Sequence, residues 1–146
     1  ITGHDLVSLG IRVASGESLP LSQEEIQISG HAIQARLNAE DPRTLEPSPG
    51  RLWECHWPAG PGVRVDTHAH TGYDMPPSFD SLLAKLIVWG SDRNEAISRL
   101  DAALAETMIL GVETLIPLHR AILSEEDFRN RDVTIRYLED HPNLLN

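Results

Sequence analysis

Two histidines at alternate positions form the sharpest chemical motif in the sequence. They are His68 and His70, within the segment 65–70. Alternate residues of a β-strand point to the same face, so a strand here would present both imidazoles together as ligands for a divalent metal such as zinc. A motif of two residues is unspecific, and two polar side chains beside a surface loop are the other interpretation. The motif therefore supports a metal site as one hypothesis only.

Arg36 is the second candidate, because it lies in the middle of a segment with strand periodicity. Gln34, Arg36 and Asn38 alternate with apolar residues at 33, 35 and 37, which is typical of a half-buried strand with one polar face. A guanidinium on a rigid strand is a well-oriented pair of donors for an oxyanion or a planar carbonyl. The structural alternative is an ion pair with Glu40, Asp41 or another acid, and the residue pattern alone favours that alternative.

Three further groups of residues have simpler explanations than catalysis. The glycines at 60 and 62 lack the following helix and lysine of a phosphate-binding loop. Cys55 and His56 are neighbours, so on a strand they point to opposite faces and do not form a nucleophile–base pair. Acidic residues at 40–41 and 125–127 stand at predicted helix starts or loops, where carboxylates commonly cap helices or stay solvated.

The elements that must position these residues are mixed helices and strands. Periodicity and capping signals predict helices at 2–16, from 92 to near 111, at 117–123 and at 135–140. Alternating or continuous apolar runs predict strands at 31–38, 52–57, 63–70 and 81–89, separated by turns at 47–50 and 58–62. The run at 81–89 is also compatible with a short helix, but its length favours a strand. This mixture indicates one compact α+β domain.

Charge and composition narrow the possible functions. The 146 residues carry 12 Lys and Arg against 22 Asp and Glu, a net charge of −10. An acidic surface repels phosphate backbones and anionic lipids, so neither nucleic acid nor a membrane is an expected partner. A single cysteine suits a reducing compartment. The chain begins at Ile1 without a methionine, and we expect it to be a fragment of a longer polypeptide.

Seven stretches of the chain form a series with a specific order and spacing. They are Gly30–Pro42, Pro47–Gly50, Pro58–Asp66, Gly72–Tyr73, Pro76–Pro77, Phe79–Ser81 and Leu83–Ile87. The series resembles the C-terminal domain of biotin carboxylases over essentially the whole chain. That domain occurs in free biotin carboxylase subunits and within acetyl-CoA, propionyl-CoA, methylcrotonyl-CoA, pyruvate and urea carboxylases.

The resemblance implies both a fold and a reaction. The implied fold, over residues 1–146, is a compact α+β domain with a small antiparallel sheet, barrel-like in a rudimentary way and flanked by helices. It would be the C-terminal domain of an ATP-grasp ligase, in which ATP with Mg²⁺ activates bicarbonate and biotin is then carboxylated. Negative charge develops on the ureido oxygen of biotin, and such a charge needs a preorganised donor.

The resemblance also assigns roles to four residues. Arg36 matches the arginine that hydrogen-bonds the ureido oxygen, which reverses the preference for a structural ion pair. Asp80 matches a segment near the active site and is expected to support it. Ile135 matches an apolar position over the adenine edge, and Arg64 matches a position at the homodimer interface. His70 departs from the family pattern, so the two histidines do not look like a family feature.

The implied partners are the remainder of the biotin carboxylase chain, a biotin carboxyl carrier protein or domain, and a carboxyltransferase component. The ATP-grasp lobe would supply the phosphate and Mg²⁺ ligands, so these 146 residues alone should be inactive. The expected location is the cytoplasm or the mitochondrial matrix. Two alternatives are a non-catalytic interaction module and a metal-dependent hydrolase built on His68 and His70. The motif is similar to one on the first strand of metal-dependent amidohydrolases, but that superfamily needs a barrel of about 250 residues, which this chain is too short to form.

Overall fold

The computed structural model describes residues 1–145, which form helices and short strands around a three-stranded sheet. The α-helices are α1 (Leu6–Ala14), α2 (Arg93–Glu106), α3 (Ile116–Ser124), α4 (Glu126–Asn130) and α5 (Tyr137–Asp140). The strands are β1 (His31–Asn38), β2 (Gly50–Arg51), β3 (Glu54–His56), β4 (Val63–Thr67), β5 (Asp74–Met75), β6 (Leu82–Gly90) and β7 (Met108–Leu110). Two single-turn 3₁₀ helices lie at Gln23–Glu25 and Pro142–Leu145.

The main sheet is antiparallel, in the order β1-β6-β4. The central strand β6 is apolar on both faces apart from the half-buried Lys85, as expected for a strand flanked on both sides. On the edge strand β1, buried Ala35 and Leu37 alternate with the exposed Gln34 and Arg36. The structure therefore confirms the strand predicted from this periodicity. One face of β1 lies on the core and the other face is polar.

The core face of the main sheet is covered by α2 and, beyond it, α3. Helix α2 starts at Asp92, whose carboxylate accepts a hydrogen bond from the Glu95 amide at 2.9 Å, as an N-cap does. Its buried residues pack with those of β1 and β6 into the larger of two hydrophobic clusters: Ala35, Leu37, Ala84, Leu86, Val88, Ala96, Ile97, Leu100, Ala103, Leu104 and Leu123. Because this cluster anchors β1 and β6, the polar face of the sheet is held rigidly.

A register shift between Leu37 and Asn38 marks the end of β1 that leads to the second cluster. Leu83 has the same strand parity as Lys85 and so points away from the α2 side. It is fully buried in the second cluster together with Ala39, Leu52, Ala69 and Met75. The polar face of the sheet is therefore bounded at one end by a small apolar core.

The rudimentary barrel expected from the family resemblance is not observed. Within residues 1–145 the strands form three separate sheets, with β2 paired to β5 and β3 paired to β7. These pairs extend over only two or three residues each, and they cover the second cluster instead of continuing the edges of the main sheet. The predicted small antiparallel sheet with flanking helices is confirmed, and its closure is corrected to an open sheet.

Several predicted boundaries also need correction. The predicted strand at 52–57 is limited to β3, because β2 covers Gly50–Arg51 before it, and the predicted strand at 63–70 ends at Thr67. The Thr67 hydroxyl accepts a hydrogen bond from the Ala69 amide at 2.9 Å, which forms a Ser/Thr turn. Helix α2 ends at Glu106 instead of near Gly111, because Thr107 is extended and β7 then pairs with β3. The sequence patterns predicted neither α4 nor the short strands β2, β5 and β7.

Helix α1 confirms the predicted N-terminal helix and stands apart from the two clusters. The Asp5 carboxylate caps it by accepting a hydrogen bond from the Ser8 amide at 3.0 Å. Leu6, Val7 and Ile11 are exposed, so the apolar face of α1 is uncovered within residues 1–145. None of the helices in that range combines the length and apolar character needed to cross a lipid bilayer.

Candidate functional site

An open cavity of about 640 Å³ lies on the polar face of the main sheet, beside the second cluster. It is lined by Arg36, His68, Tyr73, Pro76, Phe79, Asp80 and Leu82. The strands β1 and β6 supply its floor, and the segment between β4 and β6 supplies its walls. Its surface is mostly apolar, with one guanidinium and one carboxylate, which is the composition of sites that bind a small ring through a few polar contacts.

Arg36 supplies the positive charge of this cavity. It lies opposite Lys85 of β6, and Lys85 in turn lies opposite Asp66 of β4. The Arg36 side chain is exposed and makes no ion pair within residues 1–145. Its donors are therefore available to a bound molecule, and the structural alternative of an ion pair is not observed in the described part of the chain.

The two carboxylates proposed as structural partners of Arg36 are engaged elsewhere. Asp41 accepts hydrogen bonds from the Arg43 and Thr44 amides at 2.8 and 3.2 Å. These backbone bonds hold the pKa of Asp41 below its usual range. Glu40 accepts a hydrogen bond from the side-chain amide of Asn38 at 2.8 Å and a short one from the Ser81 hydroxyl. Both acids stabilise the turn that follows β1.

The network of Asn38, Glu40 and Ser81 ties the end of β1 to the start of β6. Asn38 Nδ2 also lies 3.1 Å from the Ser81 hydroxyl, and the Ala39 amide donates to the Ser81 carbonyl at 2.8 Å. Asn38 follows Arg36 by two residues, and Ser81 directly follows Asp80. The network therefore fixes the two charged residues of the cavity relative to each other, a role that the sequence analysis did not assign to any residue.

Asp80 is held by its own turn. Its Oδ1 accepts a hydrogen bond from the Leu82 amide at 2.8 Å, which starts β6. Its other oxygen has no hydrogen bond within residues 1–145 and stays available to a ligand. Beside it, Phe79 is 78% exposed. The structure thus brings the two predicted residues Arg36 and Asp80 to one cavity, together with an exposed aromatic ring.

The two histidines do not lie on a strand. They follow the end of β4, and both rings lie edge-on to Tyr73, with centroid distances of 5.1 Å for His68 and 5.9 Å for His70. His70 Nδ1 donates to the Thr71 carbonyl at 2.9 Å. In the described range, no group of three or more His, Cys, Asp or Glu could hold a metal ion. The metal-dependent hydrolase is therefore not supported, and His68 is a wall residue of the cavity.

Arg64 lies away from the cavity, on the edge strand β4. Its guanidinium makes a forked pair with Asp66, at 2.8 and 2.9 Å, which lowers the pKa of Asp66 and raises that of Arg64. Both side chains are exposed to solvent. The structure therefore places Arg64 on an open strand edge and not in the site.

Ile135 is also separate from the cavity. It lies between α4 and α5 and is fully exposed. An apolar side chain in that position makes no packing contribution within residues 1–145. The structure does not bring it near Arg36 or Asp80, and it is not among the lining residues of the cavity.

Comparisons with known proteins agree with this arrangement. The family described as "Biotin carboxylase C-terminal domain" matches residues 34–140. The biotin carboxylase of Haemophilus influenzae is 49% identical over 139 residues, which is 95% of this chain and 31% of that protein. The biotin carboxylase of Pseudomonas aeruginosa is 46% identical over 139 residues, which is again 95% of this chain and 31% of that protein.

A solved structure is similar over the whole chain. It is the biotin carboxylase domain dimer of the 2-oxoglutarate carboxylase from Hydrogenobacter thermophilus, in complex with MgADP, ADP and bicarbonate. The TM-score is 0.92 at 44% sequence identity, and the match covers 100% of this chain and 32% of that one. The chain thus spans about a third of the length of these relatives. It belongs to the family of biotin carboxylase C-terminal domains.

Proposed function

We propose that this domain forms one wall of the biotin and bicarbonate site of an ATP-dependent biotin carboxylase. The observation that carries the proposal is the unpaired guanidinium of Arg36, held on a rigid strand at the floor of an open, mostly apolar cavity. The ureido ring of biotin is small and planar, and it carries one carbonyl oxygen on a hydrocarbon and thioether framework. A cavity with one well-placed cation and apolar walls suits such a ring.

Arg36 donates to the ureido oxygen as negative charge develops there. A guanidinium that is already oriented needs no reorganisation when the charge appears, and it acts more strongly where the surroundings exclude water. The neighbouring Lys85 of β6 adds a second positive charge on the same face of the sheet.

Asp80 plays a supporting role. The Leu82 amide fixes one of its oxygens at 2.8 Å, and the network of Asn38, Glu40 and Ser81 fixes the segment that carries it. Its free oxygen can accept a hydrogen bond from a ureido N–H, or it can orient a donor group of the ATP-grasp lobe. Ile135 would pack over the edge of the adenine ring of ATP, for which its full exposure leaves room.

ATP and Mg²⁺ belong to the proposal at the level of the whole enzyme. The net charge of −10 makes this domain a poor site for polyphosphate. The residues that bind the phosphates and the metal would therefore lie in an ATP-grasp lobe in another part of the full-length protein. The Hydrogenobacter thermophilus domain, of which this chain spans 32%, is described with MgADP and bicarbonate. The cavity of Arg36 would face this lobe.

The partners of the full-length protein follow from the same reaction. They are the ATP-grasp lobe, a biotin carboxyl carrier protein or domain that presents biotin, and a carboxyltransferase component that chooses the final acceptor. The solved relative is a dimer, and we propose a homodimer here, with Arg64 on the open edge of β4 at the interface. A cytoplasmic location suits the single cysteine.

The test uses the full-length protein that contains this domain. ADP release is measured with Mg-ATP and bicarbonate, with and without free biotin, in the wild type and in Arg36→Ala. We expect the biotin-stimulated rate to fall by about 10²–10³-fold, as for other donors of an oxyanion site. Arg43→Ala is the matched control, because Arg43 is an exposed arginine in the turn after β1 and lies outside the cavity.

Two outcomes would contradict the proposal. Equal losses of biotin-stimulated ADP release in Arg36→Ala and Arg43→Ala would show that the effect does not depend on the cavity. A folded, ATP-binding wild type without any biotin stimulation would mean that the fold serves another carboxylation substrate or a non-catalytic role.

A further inference from the structure

The free edge of β1 is fastened by the segment that forms α3. Strand β1 pairs with β6 on one side, and within residues 1–145 its other side is an edge of the main sheet. On such an edge, alternate main-chain carbonyls point away from the sheet and need other donors. The carbonyl of Asn38 accepts from the Leu115 amide at 3.2 Å, and the carbonyl of Arg36 accepts from His119 Nε2 at 2.9 Å.

The His119 ring is attached firmly to the core. It projects from α3, and Leu118 and Leu123 of the same helix are buried. The small cavity beside the ring is lined by apolar side chains and the Gln34 amide: Ile33, Gln34, Ala35, Leu100, Ile122, Leu123 and Phe128. A hydrogen bond from a ring held in this way fixes the peptide plane that follows the Cα of Arg36.

We propose that His119 is a positioning residue for Arg36: its imidazole holds the Arg36 carbonyl and so sets the direction in which the guanidinium enters the cavity. The inference rests on the proposed function, because it concerns the same donor. A side chain on an edge strand follows the backbone torsions of its own residue, and a displacement of about 1 Å in a catalytic group can cost about a hundredfold in rate.

The protonation state of the ring agrees with this geometry. A carbonyl only accepts, so Nε2 must carry the proton and donate it. Burial lowers the pKa of His119, and the hydrogen bond to the Arg36 carbonyl opposes this effect. The ring is therefore neutral near neutral pH, with Nδ1 unprotonated, and the cavity beside it contains no charged side chain.

The experiment uses the full-length enzyme, three substitutions of His119 and one control substitution. His119→Leu and His119→Met fill a similar volume without a donor, whereas His119→Gln keeps an N–H that can reach the Arg36 carbonyl. Ile122→Val is the packing control, because Ile122 lies on the same helix beside the same cavity. The readouts are kcat and KM for free biotin, the KM for ATP, the bicarbonate-dependent ADP release without biotin, and the melting temperature.

We expect kcat for biotin carboxylation to fall about tenfold in His119→Leu and His119→Met, with the ATP KM and the biotin-independent ADP release unchanged. His119→Gln should keep most of the activity. In a double variant, His119→Leu should cost nothing further on the background of Arg36→Ala, because coupled residues are not additive. If His119→Leu does not fold, His119→Met gives the same comparison.

Three results would overturn the inference. One is a kcat for His119→Leu or His119→Met equal to that of Ile122→Val. Another is a loss that adds in full to that of Arg36→Ala. The third is a His119→Gln variant as impaired as His119→Leu. A wild type without biotin carboxylation would overturn the proposed function and this inference together, whereas an active wild type with a His119→Leu variant as active as Ile122→Val would overturn the inference alone.

Discussion

At the scale of single residues, the cavity combines an unpaired guanidinium with a carboxylate that uses one of its two oxygens in a hydrogen bond to the main chain. Arg36 has no ion pair within residues 1–145, and Asp80 uses one oxygen to hold the Leu82 amide at 2.8 Å. The two residues therefore differ in what a substitution would change. Under the proposed function, a substitution of Arg36 removes a contact to biotin. A substitution of Asp80 removes a ligand contact and also the hydrogen bond at the start of β6.

The double role of Asp80 can be separated by two substitutions. Asp80→Asn keeps an oxygen for the Leu82 amide and removes the charge, so stability should be unchanged while the KM for biotin rises. Asp80→Ala also removes the hydrogen bond and should lower the free energy of unfolding by about 1 kcal/mol. Urea unfolding and biotin kinetics of the full-length protein measure the two effects. Equal stability losses in both variants would contradict the assigned role of the turn.

Residue-level prediction from the sequence succeeded where strand parity determines direction. The alternation around Arg36 is enough to place its side chain on the polar face of β1. The family resemblance was needed to prefer a ligand over an ion pair, because the engagement of Glu40 with Asn38 and Ser81 depends on a contact across 41 residues of sequence. The contact between His119 and Arg36 spans 83 residues, and no local pattern signals it.

At the scale of elements, β1, β4 and β6 were predictable and the shortest strands were not. The length of its continuous apolar run favours a strand for β6, and the larger hydrophobic cluster confirms its burial. Strands β2, β5 and β7 are two or three residues long, too short for any periodicity to show. The apolar residues at 108–110 continue the periodicity of α2, and the pairing of β7 with β3 decides their conformation. Tertiary pairing thus determines the elements that the sequence analysis missed.

The contact between α3 and β1 also predicts a pH dependence. Burial lowers the pKa of His119 in the folded state below its unfolded value of about 6.5. The unfolded chain therefore binds more protons, so this group lowers the free energy of unfolding as pH falls below about 6.5. His119→Gln should lose less stability than the wild type between about pH 7.5 and about pH 5.

The measurement is urea unfolding, followed by tryptophan fluorescence, at both pH values. His31 contributes in the same direction, since burial, with nearby Arg93, lowers its pKa, and it is present in both proteins. His141 acts in the opposite direction, because hydrogen bonds to Tyr137 and Asp127 raise its pKa. An identical pH slope in the wild type and in His119→Gln would contradict the burial of His119 in the folded domain.

At the scale of the whole molecule, two surfaces of the domain are uncovered. The polar face of the main sheet is open at the cavity, and the apolar face of α1 is uncovered within residues 1–145. The chain spans about a third of the relatives that it matches. The α+β class was predictable from composition and periodicity, but the open sheet was not, because closure depends on how the short strands pair.

The incomplete site predicts that these 146 residues alone lack turnover. Under the proposed function this domain supplies one wall of the biotin and bicarbonate site, and the net charge of −10 disfavours polyphosphate binding. We expect no bicarbonate-dependent ATP cleavage by the purified domain, measured as ADP release, while the full-length protein under the same conditions is active. Turnover by the folded domain by itself would contradict the division of the site between two lobes.

The proposed homodimer predicts an effect at the edge of β4. Arg64→Glu replaces the forked pair with Asp66 by two like charges on an exposed strand, which should also repel the other protomer. Sedimentation of the full-length protein should show a shift towards monomer, and Arg43→Glu serves as the control for the change in net charge. An unchanged dissociation constant in Arg64→Glu would place the interface on another surface.

The central claim is that Arg36 acts on biotin, and the most direct measurement is the transfer of labelled bicarbonate to biotin. Carboxybiotin formation is followed in the full-length protein with Mg-ATP, in the wild type, Arg36→Ala and Arg36→Lys. We expect the rate to fall by about 10²–10³-fold in Arg36→Ala and to recover only in part in Arg36→Lys, since a lysine lacks the planar fork. A rate of carboxybiotin formation in Arg36→Ala equal to that of the wild type would contradict the account.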